Sequence, residues 1–225
     1  MERPGRDLGR RLSISFDLDG TLTDPAFVDG VWNEGLPRLV ADSRGIDLTE
    51  AAKLCMDAYR SEGEASILWY RLSHWLDHFG LQGVDEEDLI DGFTKRIRVF
   101  EDAIRAIDHF KAEGYPLVLF SNAPRAFLNR EVHYCSLKDS FDTIISLPDD
   151  WGMVKSQDEA FLRLKSQVPG EVIHAGDHIR FDCEVPRMAG LKAYHIWRGK
   201  GPRLNDSLES LDQFVDRIIC AQVHP

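Results

Sequence analysis

The sequence lacks the features that mark several classes of protein. No apolar run approaches the roughly 18 to 20 residues that cross a bilayer. No signal-peptide segment follows the basic N-terminal stretch, which we expect to form a short arm. The cysteines are far apart and make no C-x-x-C pair; they are Cys55, Cys135, Cys183 and Cys220. We therefore expect free thiols in a reducing cytoplasm and no contact with a membrane.

The chain also lacks an excess of positive charge, an internal repeat and a low-complexity tract. It carries 27 Lys and Arg residues against 38 Asp and Glu residues, which gives a formal net charge of −11 at pH 7. This balance argues against nucleic acid as a partner. It allows a small anionic substrate, because a cation, a lysine and backbone N–H groups can bind phosphate locally. At 225 residues and 43% hydrophobic content, we expect a soluble globular protein, monomeric or homodimeric.

What the sequence does contain is an interrupted alternation of strands and helices. Residues 12–16 predict a buried strand, and residues 25–97 then show helical periodicity with no convincing strand. Further strands are predicted at 116–120, 143–146, 171–175 and 192–197. Because helical segments separate these strands, the pattern predicts an α/β fold with a doubly wound, Rossmann-like parallel sheet. The helical segment is then an insertion after the first strand.

The helices follow from apolar spacing and from their end signals. In the insertion, the clearest periodicity covers residues 64–79, with further helices starting near residue 49 and covering 85–97. In the remainder, helices are predicted at 103–112, 125–134, 158–167, 181–189 and 207–219.

The first strand ends in two acids that are one residue apart. Strand alternation places Asp17 and Asp19 on the same side of the backbone, and Gly20 permits a sharp turn after them. Two carboxylates this close repel each other unless a cation neutralises them, and hard oxygen ligands favour Mg²⁺. A solvated turn that closes the strand is the alternative for a bare D-x-D pair.

Three later strand ends also carry polar residues. Ser121 and Asn122 follow the second predicted strand, where they either hold phosphate oxygens or form an ordinary turn. Lys155 either neutralises a phosphate or is a solvated loop charge. Asp177 and Asp182 follow the strand at 171–175 and add two more carboxyl groups. Parallel topology brings these ends to one edge of the sheet.

In this order, the four segments resemble the four motifs of the haloacid dehalogenase (HAD) superfamily, which is dominated by Mg²⁺-dependent phosphatases. The run DLDGTLTD is similar to the first motif and GDHIRFD to the fourth, with Ser121 and Lys155 at the second and third. The resemblance covers the chain except the insertion. It implies a Rossmann-like core of residues 1–24 and 98–225 and a small helical cap domain of residues 25–97.

The resemblance also implies a role for each motif residue. Asp17 would attack phosphorus and form an aspartyl-phosphate, while Asp19 would protonate the leaving alcohol and later activate water. Mg²⁺ would bind a carboxylate oxygen of Asp17, the backbone carbonyl of Asp19 and Asp177. Asp182 would support the metal or orient its waters. The phosphoryl group would be held by Ser121, the backbone N–H of Asn122, Lys155 and the backbone N–H of Thr21.

The implied function is Mg²⁺-dependent hydrolysis of a small soluble phosphomonoester. A sugar-phosphate mutase also needs both acids and stays open as an alternative. A dehalogenase normally lacks the second acid, Asp19, and a phosphonatase uses a cap lysine, for which Lys53 is the candidate. A non-catalytic protein of the same fold would lack motif residues, and all are present. Cap residues that would select the substrate, unless they form the cap's own core, are Trp32, Asn33, Tyr70, Arg71 and His74.

Overall fold

The computed structural model describes residues 12–223, so the expected N-terminal arm lies outside the described residues. Its strands are β1 Leu12–Phe16, β2 Leu117–Ser121, β3 Thr143–Ser146, β4 Glu171–Gly176 and β5 Lys192–His195. They form a five-stranded, wholly parallel sheet in the order β3-β2-β1-β4-β5. This confirms the doubly wound α/β fold.

Ten α-helices surround and extend this sheet in the described part of the chain. They are α1 Ala26–Gly30, α2 Leu36–Arg44, α3 Leu48–Glu62, α4 Leu72–Phe79, α5 Glu86–Asp91, α6 Glu101–Ala112, α7 Arg125–Tyr134, α8 Asp158–Gln167, α9 Val185–Met188 and α10 Leu211–Val223. Short π-helical turns lie at Val31–Gly35, Leu147–Trp151 and Ile179–Glu184. Short 3₁₀ turns lie at Ile67–Tyr70, Thr94–Arg96 and Lys138–Ser140.

The strand order fixes where a site can form. β1 is the central strand, and its two neighbours, β2 and β4, lead away to opposite edges of the sheet. The carboxyl ends of these strands therefore diverge around the end of β1 and leave a crevice there, which is where open α/β sheets bind ligands.

Apolar side chains bury the sheet on both faces. On one face, Phe16 of β1 packs against Phe214 of α10, with ring centroids 5.8 Å apart. On the other, Phe120 of β2 packs against Phe161 of α8 at 5.2 Å. All five residues of β2 are buried, which explains its nearly continuous apolar sequence.

The helices predicted at 64–79 and 85–97 are wrong in extent. The first is a 3₁₀ turn followed by α4, because Arg71 is extended (φ −90°, ψ 105°) and separates the two. The second ends at Asp91 and is followed by Gly92 and a 3₁₀ turn. Because the helix breaks at Arg71, the side chain of this residue reaches the core. Helical periodicity alone does not predict such a tertiary contact.

Two boundaries near the C-terminus also differ from the prediction. The helix expected from residue 207 begins at Leu211, because Leu208 first exchanges backbone hydrogen bonds with residues at the end of β5. The strand itself ends at His195, short of the predicted 197. The helix expected at 181–189 consists of a π-helical turn and the short α9.

The insertion lies against the core through apolar and polar contacts. Trp32 stacks on Phe127 of α7 at 5.7 Å and 11°. Arg71 donates to the carbonyl of Pro148 at 2.9 Å and pairs with Asp149 at 2.7 Å. The division into a core and a cap domain of residues 25–97 stays a prediction.

The four cysteines are free, as predicted. No helix within residues 12–223 has the length and apolar character needed to cross a membrane.

Candidate active site

The first acidic loop is a tight turn at the end of β1. Gly20 N donates to the carbonyl of Thr23 at 2.8 Å, and Leu22 N donates to that of Leu18 at 2.8 Å. Gly20 has a φ of +76°, and a Cβ atom there would lie 2.1 Å from Oδ2 of Asp177. A glycine is therefore required both for the turn and for the close approach of the fourth-motif carboxyl group.

Lys155 is buried between two carboxylates. Its Nζ donates to Asp17 at 2.5 Å and to Asp182 at 2.7 Å, and its side chain is only 2% exposed. Burial by itself would lower the pKa of Lys155, but Asp17 and Asp182 outweigh it and hold the pKa above the ordinary value. Lys155 therefore stays positively charged. Its ion pairs hold the third and fourth motifs against the first.

A chain of buried hydrogen bonds continues behind Asp182. His174 Nε2 lies 2.9 Å from Asp182 Oδ1, and His174 Nδ1 lies 2.9 Å from the hydroxyl of Ser15. Burial would raise the pKa of Asp182, yet the charge of Lys155 and the contact with His174 hold it below the ordinary value. Gly176 leaves room for this carboxyl group, since a Cβ there would lie 2.3 Å from it.

The second motif lies beside Lys155. The Ser121 hydroxyl oxygen accepts from Ala123 N at 2.9 Å, which leaves its proton available to another acceptor. Asn122 accepts from the backbone N–H of Lys155 through Oδ1 at 2.9 Å and donates through Nδ2 to the Tyr70 hydroxyl at 2.9 Å. Asn122 thus joins two motif loops and the insertion.

Asp19 lies next to a buried glutamate of helix α7. Glu131 is 0% exposed, and burial together with the charge of Asp19 raises its pKa well above the ordinary value. Its Oε1 also accepts from the Thr23 hydroxyl at 2.7 Å. Glu131 is not among the residues predicted for the site. The signal was present, because Glu131 lies on the apolar face of α7 that includes Phe127 and Leu128.

The remaining carboxyl groups are harder to ionise than exposed ones. Burial, partly offset by Lys155, raises the pKa of Asp17 to about 6. Burial and then the charge of Asp17 raise the pKa of Asp19 to about 7. The same two causes raise the pKa of Asp177 well above its ordinary value, although the residue is exposed to the crevice. Their mutual repulsion favours a cation at this site.

The donor set suits a hard divalent cation. Asp17, Asp177 and Asp182 each place one carboxylate oxygen within 4.8 Å of the others. Carboxylate oxygens are the ligands that Mg²⁺ and Ca²⁺ prefer. The carboxyl group of Asp19 is not part of this set, and its expected contribution through the backbone carbonyl stays a prediction.

These side chains line a cavity of about 600 Å³ between the sheet edge and the insertion. Its motif residues are Asp17, Asp19, Ser121, Asn122, Lys155, Asp177 and Asp182. Of the expected selective residues, Trp32, Asn33 and Tyr70 line it. His74 instead packs on Trp75 and is not among the described residues lining the cavity.

Thr21 is buried within the turn that follows β1. Its backbone N–H donates to the carbonyl of Leu18 at 3.2 Å, and the residue is 0% exposed. The tight turn after β1 uses this N–H internally, and the expected role of Thr21 in phosphate binding stays a prediction. Two histidines lie close to Asp177 in the sequence. His174 is satisfied on both ring nitrogens, and His178 accepts from Phe181 N at the start of a helical turn.

Acidic residues and a buried lysine at the carboxyl ends of a doubly wound parallel sheet define a class of α/β enzymes. The chain belongs to the haloacid dehalogenase-like hydrolase family, whose model matches residues 13–190. The resemblance drawn from the four motifs is therefore confirmed, and the protein is a hydrolase of this family.

Individual relatives are distant in sequence. Over 134 residues the chain is 26% identical to GMP/IMP nucleotidase YrfG of Escherichia coli, and the alignment covers 60% of this chain and 59% of that protein. The chain thus matches about three fifths of the length of this curated relative.

Solved structures share the fold over almost the whole chain. A HAD phosphatase from Thermococcus onnurineus has a TM-score of 0.79 at 21% identity, over 92% of this chain and 97% of its own. YfnB of Bacillus subtilis, a HAD-hydrolase solved with magnesium, has a TM-score of 0.67 at 16% identity, over 93% and 99%. The L-2-haloacid dehalogenase of Xanthobacter autotrophicus scores 0.58 at 16% identity, over 92% and 98%.

Proposed function

We propose that this hydrolase cleaves small phosphomonoesters with Mg²⁺, using Asp17 as the nucleophile and Asp19 as the general acid and base. The observation that carries the proposal is that these two acids line one cavity but have different surroundings. Asp17 pairs with Lys155 and has a pKa of about 6, so it is mainly ionised at neutral pH. Asp19 has a pKa of about 7, which suits a group that gives and takes a proton.

The first step transfers the phosphoryl group to Asp17. A carboxylate oxygen of Asp17 forms a bond to phosphorus while the bond between phosphorus and the ester oxygen breaks. The proton of Asp19 moves to that ester oxygen, which leaves as an alcohol. In the second step Asp19 takes a proton from water, the water oxygen bonds to phosphorus, and the bond from Asp17 to phosphorus breaks.

Donors around the nucleophile would hold the phosphoryl oxygens in both steps. Lys155 uses two of its three N–H bonds on Asp17 and Asp182, which leaves one for the substrate. The hydroxyl proton of Ser121 is available because its oxygen acts as the acceptor toward Ala123 N. These donors are fixed before the substrate arrives, which is the condition for effective stabilisation of developing charge.

Asp17, Asp177 and Asp182 are the side chains that would hold the metal, with the backbone carbonyl of Asp19 as a further expected ligand. When bound, Mg²⁺ would neutralise these acids and polarise a phosphoryl oxygen. Asp182 already accepts from Lys155 and His174, so the same carboxyl group would tie the metal site to the buried network.

The substrate proposal is a small phosphorylated metabolite, with purine nucleoside monophosphates to be tested first. It is supported by the similarity to a protein named as a GMP/IMP nucleotidase. It is also supported by the aromatic residues that the insertion adds to the cavity, which are Trp32, Tyr59, Trp69 and Tyr70. Planar rings stack on such side chains. We propose no nucleic-acid or membrane partner.

The alternatives on the same fold have less support. The candidate phosphonatase lysine, Lys53, is exposed on α3 and pairs with Asp57 at 2.7 Å. It is not among the described residues that line the cavity. A dehalogenase would not need Asp19, which lines the cavity together with Asp17.

The test is turnover of a panel of phosphorylated metabolites with Mg²⁺ and with EDTA, measured as released phosphate. We expect Mg²⁺-dependent release with at least one member, and a difference in kcat/KM among substrates. Transfer of the phosphoryl group to another hydroxyl of the sugar, without phosphate release, would identify a mutase. No turnover across a broad panel would contradict the proposal.

A further inference from the structure

His195 holds the backbone of the fourth motif from the neighbouring strand. It is the last residue of β5 and pairs with Gly176, the last residue of β4. Its ring nitrogen Nε2 lies 2.8 Å from the backbone carbonyl oxygen of Asp177. Because a carbonyl oxygen can only accept, Nε2 is the donor, and this holds for the neutral and the charged ring alike. The main chain of Asp177 is therefore tied to the end of β5.

The ring of His195 is fixed by a second contact on its other nitrogen. Nδ1 lies 2.6 Å from the hydroxyl oxygen of Ser207, which in turn accepts from the backbone N–H of Leu204 at 2.8 Å. His195 is 2% exposed and Ser207 is 9% exposed. A buried ring with a partner on each nitrogen cannot turn away without leaving polar atoms unsatisfied, which is costly. The ring is thus held in the orientation that reaches Asp177.

Asp177 depends on this backbone contact more than the other two acids of the donor set do. Asp17 and Asp182 are each held through their carboxyl groups by Lys155. Within residues 12–223, the carboxyl group of Asp177 makes no ion pair and no hydrogen bond, so its position is set by the main chain that carries it. The space around it is narrow, since a Cβ atom at Gly20 would lie 2.1 Å from Oδ2 of Asp177. A small movement of this main chain would therefore displace the carboxyl group.

We propose that His195 is a positioning residue for the metal site: by holding the carbonyl group of Asp177, it keeps the carboxyl group of that residue beside the other two acids. The three carboxyl groups each place one oxygen within 4.8 Å of the others. A ligand that is oriented before the metal binds loses less freedom on binding, and groups behind metal ligands commonly change metal affinity. The inference rests on the proposed function, in which these acids hold Mg²⁺. It adds a residue outside the four motifs.

Two substitutions at His195 separate its hydrogen bond from its bulk. His195→Gln keeps an N–H donor for the carbonyl oxygen of Asp177, because the side-chain amide nitrogen of glutamine can take the place of Nε2. His195→Phe keeps a flat ring and makes no hydrogen bond. Mg²⁺ binding to each protein is measured by isothermal titration calorimetry without substrate. Urea unfolding in EDTA is recorded in parallel, and phosphate release is followed over a range of Mg²⁺ concentrations.

We expect His195→Phe to raise the dissociation constant for Mg²⁺ by roughly tenfold, because removal of a group that orients a metal ligand has an effect of that order. The Mg²⁺ concentration that gives half-maximal phosphate release should rise by a similar factor. At saturating Mg²⁺, kcat should stay within about threefold of the wild-type value, because the nucleophile and the general acid are unchanged. His195→Gln is expected to keep the dissociation constant within about threefold of wild type.

Thr94→Val is the matched control from the insertion. The Thr94 hydroxyl donates to the backbone carbonyl of Asp91 at 2.9 Å, and the residue is 8% exposed. It is not among the described residues that line the cavity. This variant also loses a buried hydrogen bond to a carbonyl oxygen, so its unfolding midpoint should fall while its affinity for Mg²⁺ stays at the wild-type value.

An unchanged dissociation constant in folded His195→Phe would overturn the positioning role, and so would an equal rise in His195→Gln or in Thr94→Val. Should His195→Phe fail to fold, Ser207→Ala replaces it: the ring keeps Nε2 but loses the contact that orients it, and the dissociation constant should still rise by about threefold or more. If the wild type binds no Mg²⁺ in the titration, the metal site of the proposed function fails, and the role of His195 fails with it. The wild-type titration therefore distinguishes the two failures.

Discussion

The edge of the sheet and the inserted helices use charged residues in different ways. At the sheet edge the Lys155 side chain is 2% exposed and contacts two buried carboxylates. In the insertion, Lys53 pairs with Asp57, but their side chains are 77% and 49% exposed. Buried charges depend on their partners, whereas exposed pairs contribute little. We infer that the sheet edge fixes the chemistry and that the insertion is free to change the substrate.

The largest expected effect compares one acid from each region in the same cavity. Asp17→Asn is expected to reduce turnover to background, because an amide is not a nucleophile toward phosphorus. Asp29→Asn, on helix α1 of the insertion, also lines the cavity and is expected to change kcat/KM by less than about tenfold. Steady-state kinetics on the best substrate measure both.

Circular dichroism of both variants provides the folding control. Near-normal activity of a folded Asp17→Asn protein would remove the nucleophile assignment. An equally severe loss in Asp29→Asn would contradict the division of roles between the two regions.

The second comparison uses one lysine from each region. Lys155→Met leaves Asp17 and Asp182 buried beside each other, which is expected to cost about 3 to 5 kcal/mol of unfolding free energy in EDTA. It is also expected to abolish turnover. Lys53→Met is expected to leave the unfolding midpoint and kcat unchanged. Urea unfolding measures the difference, and equal midpoints for the two variants would show that the buried pair does not stabilise the fold.

Much of this site was predictable because its residues follow strand ends. Alternation within β1, and the turn at Gly20, predict that Asp17 and Asp19 lie on one side of the backbone. Parallel topology then predicted that Ser121 and Asp177 would lie nearby. The position of the site follows from strand alternation, the turn at Gly20 and parallel topology. Each of these can be inferred from the sequence.

The parts that were not predictable depend on contacts between distant segments. The break at Arg71 is stabilised by Pro148 and Asp149, which are separated from it by more than 70 positions in the sequence. Glu131 was overlooked because its hydrogen bond with Thr23 depends on the packing of α7 against the first loop.

The third prediction concerns pH and the acids of the sheet edge. Burial raises the pKa of Asp19 from its ordinary value of 3.8 to about 7. Between these values the folded state therefore binds more protons than the unfolded state, so the contribution of Asp19 to stability falls as pH rises and stays low above about 7. In EDTA, the unfolding midpoint of Asp19→Asn should rise relative to wild type across this range.

A residue of the insertion gives the matched comparison for this titration. The contact with Lys53 lowers the pKa of Asp57 below its ordinary value of 3.8. Its contribution is therefore complete above that value, and Asp57→Asn should show a constant difference from wild type over the same range. Added Mg²⁺ should raise the wild-type midpoint most at the alkaline end. A flat difference for Asp19→Asn would contradict the burial of its charge.

The smallest expected effect lies where the two regions meet. The Tyr70 hydroxyl accepts from Asn122 at 2.9 Å and donates to the carbonyl of Glu64 at 3.0 Å. Tyr70→Phe removes both hydrogen bonds, each worth about 1 kcal/mol, without removing the ring that lines the cavity. We expect KM to rise a few-fold while kcat stays within about threefold of wild type, because the reacting groups are held by the core. Tyr134→Phe, on an exposed ring of helix α7, is the control and should change neither constant. A 100-fold fall in kcat for Tyr70→Phe alone would mean that the insertion supplies part of the chemistry, and the distinction between the two regions would then be lost.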